Sequence, residues 1–307
     1  MILSGDKILS TTRLSLVAIV FCALCISLIN AANAQVASSD AIAIRVLPNT
    51  HHLSAYDWYK EQNFTGSPQA IVIDGYGAVR DGRTVYVNAA NIIGNTLHTN
   101  IFIISYNQDS ERVTVDIFGR IIKKWNFNTN ITTIGHCRGD MTRVCMIDDD
   151  CSSDDFCDSK KARIVRDVKR LSDLAVVKRK LEEYKRNNGY YPKLAQGTYL
   201  PQRSISVWPS WQNELAEELN MVIPNDPVNK MGNCTETRFT ENTCWDEAKK
   251  QFDDQDTSTT KLDLPTNSLV YTYHGTPDGS YYDFCGVMES GYALSAGSCA
   301  GSGICLL

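Results

Sequence analysis

Apolar positions recur at two different periods along this chain, and the change from one to the other divides it. Between residues 41 and 127 they alternate with polar ones or gather in short β-branched runs, the pattern of strands. Strands are expected at 41–47, closed by Pro48-Asn49, at 70–74, and at 78–87, where Asp81-Gly82 is a favoured hairpin dipeptide. Three more are expected at 99–106, 112–117 and 120–127. One brief helix is expected at 55–62, capped by Ser54 and carrying Tyr56, Trp58 and Tyr59.

From residue 163 the period becomes helical. Ile164, Val168, Leu171, Leu174, Val177, Leu181 and Tyr184 fall three or four apart, so a helix gathers them into one stripe. Arg, Lys, Asp and Glu fill the remaining positions and are expected on a solvated face. Lys178–Glu182, Arg179–Glu183 and Glu182–Arg186 would pair there at i,i+4. Gly189 offers a left-handed stop and Pro192 bars continuation. A second helix at 210–220 would hold Trp211, Leu215 and Leu219 on one side, ending before Pro224-Asn225-Asp226-Pro227. One or two helical turns at 245–252, a polar loop at 253–260 and a hairpin from 268–274 and 281–289 complete the pattern.

Composition adds the compartment. The 307 residues suffice for two modest domains, and a net charge of -5 argues against nucleic acid, whose binders carry a basic face. Lys7 and Arg13 precede an uncharged apolar segment, 14–29, and Ala32-Asn33-Ala34 follows it, the layout of a secretory signal peptide. If it is not cleaved, residues 14–29 would hold the chain in a membrane. The expected location is therefore outside the cytoplasm, either membrane-anchored or at the cell surface and beyond.

Of eleven cysteines, Cys22 and Cys25 lie in that apolar run and nine follow residue 130. Cys137, Cys145, Cys151 and Cys157 crowd a stretch with little apolar content, which in an exported chain reads as a disulfide knot in preference to a zinc site. Their pairing is open among three connectivities. Asp148, Asp149, Asp150, Asp154, Asp155 and Asp158 share the stretch without EF-hand spacing and are expected to be solvated. A Cys234–Cys244 bridge is expected across the 229–265 segment. Cys285, Cys299 and Cys305 leave an odd number, so one is free or pairs between chains.

Catalytic signatures are absent: there is no H-E-x-x-H, nucleophile elbow or Walker loop. His51-His52 and His98 stand at no metal-ligand spacing, and Gly75-Tyr76-Gly77 lacks the rest of a phosphate loop. His136 beside Cys137 and the tripeptide Arg138-Gly139-Asp140 fall within the knot and are given no role. Trp58 and Tyr86 could belong to a glycan- or peptide-binding platform. No catalytic, cofactor-binding or metal-binding residue is assigned, no cofactor is expected, and the chain is not expected to be an enzyme.

Arg166, Asp167, Arg170, Asp173-Leu174, Leu181, Tyr184 and Asn188-Gly189-Tyr190-Tyr191-Pro192 together resemble the helix that opens the globular domain of type II secretion pseudopilins and type IV pilins. Pro224-Asn225-Asp226-Pro227 resembles that family's P-x-D-P turn, and 268–274 with 281–289 resembles its closing strands, so the likeness spans roughly 162–292. It implies a long helix packed on a small antiparallel sheet. The family's Gly-Phe-x-x-x-Glu leader is missing, and some 130 residues separate the apolar segment from the helix, so the likeness extends to the domain and not to the fibre-forming helix.

The expected fold is α+β: residues 1–34 a signal peptide or anchor, 35–134 a β-rich domain (sandwich or meander), 135–160 a disulfide-knotted linker, and 161–307 a pseudopilin-like domain. The function expected is that of an exported, envelope-associated or cell-surface structural protein, in contact with other pilin-like or envelope proteins. The alternative is an adhesin, or a glycan- or peptide-binding module, acting through the β-domain.

Overall fold

Ser54 opens the first helix: its hydroxyl accepts from the Asp57 amide at 3.0 Å, and helix α1 runs Ala55–Glu61. In this computed structural model, residues 40–153, 155–232, 243–252, 264–294 and the backbone of 303–305 are described. Strands β1 (Ile42–Pro48), β2 (Gln69–Ile73), β3 (Tyr76–Asp81), β4 (Thr84–Ile93) and β5 (Thr96–Tyr106) form one antiparallel sheet in the order β1-β5-β4-β3-β2. The sheet is therefore a meander from β2 to β5 with β1 added at the far edge. Gly82-Arg83 makes the β3–β4 turn directly after Asp81, with Gly82 at φ 54°, a conformation that glycine adopts without a Cβ penalty.

Residues 112–117 do not form the expected strand. Helix α2 occupies Arg112–Lys123 and includes the first half of the expected strand at 120–127 as well. Val113, Val115 and Ile117 alternate, but over twelve residues Val113, Ile117, Phe118, Ile121 and Ile122 repeat at the helical period. Tertiary packing selects the helix: Phe118 is fully buried and meets Tyr106 edge-on at 5.0 Å.

The four clustered cysteines bond as Cys137–Cys151 and Cys145–Cys157. They staple the short hairpin β6 (Gly135–Cys137) and β7 (Asp140–Cys145) to a 3-10 turn, Asp148–Asp150. The long helix α3, Lys160–Asn188, leaves the knot directly. Ser159 caps it by accepting from the Ala162 amide at 2.9 Å and ties it back by donating to the Met146 carbonyl at 2.6 Å. Gly189 ends it at φ 84°.

The apolar stripe of α3 faces the core as expected, and each fully buried aliphatic residue contributes about 1.5–3 kcal/mol. Its polar face departs from expectation. Lys161, Arg166, Asp167, Arg170, Ser172 and Asp173 are all buried, so most of the polar face in the first half of the helix is covered by protein, while Lys160 and Lys169 stay exposed. Farther along, Arg179 pairs with Asp57 and Glu61 of α1, and Glu182 accepts from the Tyr191 hydroxyl.

The rest of the chain folds against α3. Strands β8 (Arg203–Ile205), β11 (Thr272–Gly275), β12 (Tyr282–Val287) and β14 (Gly303–Cys305) form an antiparallel sheet in the order β14-β12-β11-β8. Between β8 and β11 the chain forms a π turn, Trp211–Leu215, continued by a short helix α4, Ala216–Glu218. The helical turns expected at 245–252 are a small hairpin instead, β9 (Trp245–Asp246) with β10 (Gln251–Phe252). Aromatic packing accounts for it, since Trp245 lies between Tyr199, Trp208 and Phe252 with ring centroids 4.9–5.8 Å away. The last short strand, β13 (Ala293–Leu294), joins the first sheet in parallel beside β5.

One apolar core runs from the meander through α3 to the second sheet, joining Val87, Phe118, Leu171, Trp211 and Phe284. The fold is α+β with antiparallel sheets and a cysteine cluster. Cys244 and Cys285 are also disulfide-bonded. The 14–29 segment, the 253–260 loop, Asp154, Cys234, Cys299 and the Cys305 side chain lie outside the described residues. Among the described residues no helix is long and apolar enough to cross a membrane.

Candidate functional site

The first half of α3 carries charge into the protein interior, and three other segments close over it. Arg170 is fully enclosed. Its Nε and Nη2 donate to the two Asp226 oxygens at 2.6 and 2.9 Å, and its Nη1 donates to Asp167 at 2.9 Å and Glu289 at 2.7 Å. One turn earlier, Arg166 donates from Nε and Nη2 to Glu289 at 2.6 and 3.0 Å, and from Nη1 to Asp148 and the Cys157 carbonyl. Two guanidinium forks thus bind the knot, the Pro224–Pro227 turn and the tail of β12 to one helix.

The carboxylates are satisfied from the backbone too. Asp226 accepts from the Val228 amide at 2.8 Å, and Asp167 accepts from the Glu289 and Ser290 amides at 3.0 and 2.8 Å. This matters because a buried ion pair is favourable only when its remaining hydrogen-bonding capacity is filled. Burial pushes the Glu289 carboxyl up, but the donated bonds and charges of Arg166 and Arg170 outweigh it and hold the group below its ordinary range. At Asp167 and Asp173 burial prevails, and both are raised.

The Glu289 shift fixes a sign. A carboxylate depressed in the folded state stabilises the protein above its unfolded value, near 4.5, and that contribution is lost as pH falls through the folded value. The stability gap between the wild type and Glu289→Gln is therefore expected to be widest near neutral pH. Urea denaturation at about pH 7 and about pH 3 measures it. A gap that stays constant or widens on acidification contradicts the assigned pairing.

Beside this network lies a cleft of about 350 Å³, bounded by the start of α1, the β2–β3 turn, the 3-10 turn of the knot and α3. Val165, Val168, Ala55 and Pro227 supply apolar wall, while Asp148, Asp149, Lys169, Ser172 and Asn88 supply polar groups. Ser172 donates to the Val168 carbonyl and accepts from Asn88, so its hydroxyl is bound to neutral groups and has no activating base. Lys169 is held on both Asp173 oxygens at 2.9 and 2.8 Å, and Tyr271 donates to the same carboxylate. Such a lining suits recognition of a small polar group or a chain segment.

The residues weighed from sequence are distributed as follows. His52 is buried with its Nδ1 3.0 Å from the Thr99 hydroxyl, and burial, with smaller contributions from His51 and His98, lowers its pKa. Gly75-Tyr76-Gly77 borders the cleft, with Tyr76 buried and donating to Asn128. Trp58 and Tyr86 do come together, 5.8 Å apart, but Tyr86 is a core residue and Trp58 is half-buried, with Phe64 the exposed member of the group.

The acidic loop is not simply solvated. Asp148, Asp150, Asp155 and Asp158 accept from the amides of Cys157, Met146, Gly139 and His136, so they fold the knot. Arg138 stacks on Phe156 at 4.9 Å, while Arg138, Gly139 and Asp140 all remain exposed on the knot's hairpin. Three sulfurs, of Cys137, Cys145 and Cys151, lie close enough for a metal but are committed to disulfides. Comparison with protein-family models, characterised proteins and solved structures finds no match for this chain.

Proposed function

We propose that the chain is an exported structural protein that works at the cell envelope or surface, as a component of a secretion or pilus-like apparatus. Its second half would act as a pilin-type domain that docks against other envelope subunits, and it would not catalyse a reaction. The observation that supports this reading is the order of parts on α3. A long helix is followed by a Pro-Asn-Asp-Pro turn whose aspartate is clasped by Arg170, and then by two closing antiparallel strands. That order is the one the sequence resemblance leads to. The four bonded cysteines of the knot fit an oxidising compartment.

The test is to tag the full chain, fractionate the producing cells and alkylate the thiols before lysis. The expected result is a chain in the membrane or exterior fraction, with Cys137, Cys145, Cys151 and Cys157 protected and other pilin-like subunits cross-linked to it. A cytosolic chain whose thiols are all alkylated, with no such neighbours, rejects the proposal.

A further inference from the structure

Helix α2 covers the meander with one side and presents an unusual other side. Val113 and Ile117 are 62% and 39% exposed, and Arg112, Arg120, Lys123 and Lys124, on or just after the same helix, are exposed as well. The chain as a whole is acidic, yet residues 111–124 hold these four cations against only Glu111 and Asp116. Along the second half of the helix Ile117, Ile121 and Trp125 floor an open trough, with Arg120 and Lys124 on its rim. At the neighbouring sheet edge Ile44 and Val46 are 54% and 45% exposed. Their register partners Ile104 and Phe102 belong to the core that Phe118 enters, so this apolar edge lies on the same sheet face as α2.

We infer that this side of α2 rests on an anionic membrane surface. Basic residues alternating with apolar ones and an interfacial tryptophan are what a helix lying in the headgroup layer requires, and each cation adds electrostatic attraction to anionic lipid. The charge of this side, together with the path of the chain, favours a membrane as its occupant. β1 begins beside the end of β5, where the Asn107 amide donates to the Ala41 carbonyl, and Tyr106 packs on Phe118 of α2. The apolar segment 14–29 ends twelve residues before Ala41, a reach of about 40 Å at full extension. The geometry thus rests on the reading of 14–29 as a membrane segment, while the chemistry rests on α2 alone.

The test uses the full chain with vesicles of phosphatidylcholine alone or mixed with phosphatidylglycerol, read by flotation and by hydrogen exchange of the α2 amides. On anionic vesicles the α2 amides are expected to exchange about tenfold more slowly than on neutral ones, with the difference removed by high salt and by Arg120→Gln/Lys124→Gln. Both side chains are exposed, so that variant keeps the fold, and the salt arm needs no variant. Equal exchange on the two lipids, with the chain bound to both, overturns the inference. Slow exchange without lipid that grows with protein concentration assigns the surface to a second copy and overturns it too. If the chain fails to float with neutral vesicles, the anchor reading fails. Salt-sensitive flotation with anionic vesicles then still supports the role of α2, and its absence sinks it.

Discussion

Arg170→Met is expected to destabilise the fold by about 3–5 kcal/mol, the effect seen when one partner is removed from a buried ionic cluster. Three carboxylates lean on this guanidinium: Asp226 through both oxygens, Asp167 and Glu289. Without it their negative charges remain buried, with Arg166 as the nearest compensation and bonded to Glu289 alone among them. Since a domain of ordinary stability has only about 5–15 kcal/mol in hand, one substitution consumes much of it. Arg170→Met/Asp226→Asn should recover part of the loss by deleting one orphaned charge, and the double-mutant cycle gives the coupling. Arg170→Lys should fall between, because an ammonium cannot span Asp226 with a parallel pair of bonds. Urea unfolding followed by circular dichroism measures all three. A loss below about 1 kcal/mol for Arg170→Met would place the cluster among weak surface pairs and contradict its burial.

Much of this framework is written in local signals. Ser54 and Gly189 mark helix ends because their caps are made by adjacent residues, and Asp81-Gly82 marks a hairpin because the turn needs a positive φ at once. The stripe from Ile164 to Tyr184 is legible because core packing demands a period of 3.6. Helix α2 is legible only across Gly119, which separates the two stretches expected as strands. A window of six residues shows only the alternation of Val113, Val115 and Ile117, and the helical repeat appears over twice that length. The β9–β10 hairpin is too short for periodicity, and its shape comes from Trp208 and Tyr199 far back in the chain.

The charge network was hidden for a different reason. In a sequence, Arg166, Asp167, Arg170 and Asp173 have the same letters whether they face water or one another. What separates the two cases is Asp226, 56 residues after Arg170, and Glu289, 119 residues after it, brought in by the tertiary fold. The knot behaves alike. Four cysteines announce bridges, but the choice among three pairings depends on Asp148, Asp150, Asp155 and Asp158, whose turns set which sulfurs meet.

Removing the knot's bridges is expected to give the second large effect. Cys137–Cys151 and Cys145–Cys157 close loops with sequence separations of 14 and 12, and loops of this size contribute roughly 3 kcal/mol each in the chain-entropy account. Cys137→Ser/Cys151→Ser should therefore lower stability by about 2–3 kcal/mol. Cys145→Ser/Cys157→Ser should cost more, because Cys157 also carries the carbonyl that receives Arg166 and the amide that donates to Asp148. Loosening it frees one end of the ion network and the segment whose Met146 carbonyl holds the Ser159 cap. The paired serine variants isolate these bridges, whereas a reductant would also open those of Cys244 and Cys285. Urea midpoints and slopes for the two variants decide the matter. If Cys145→Ser/Cys157→Ser costs no more than the other pair, the knot is a staple acting on the unfolded chain alone, and the mechanical link through Arg166 to α3 carries no stability.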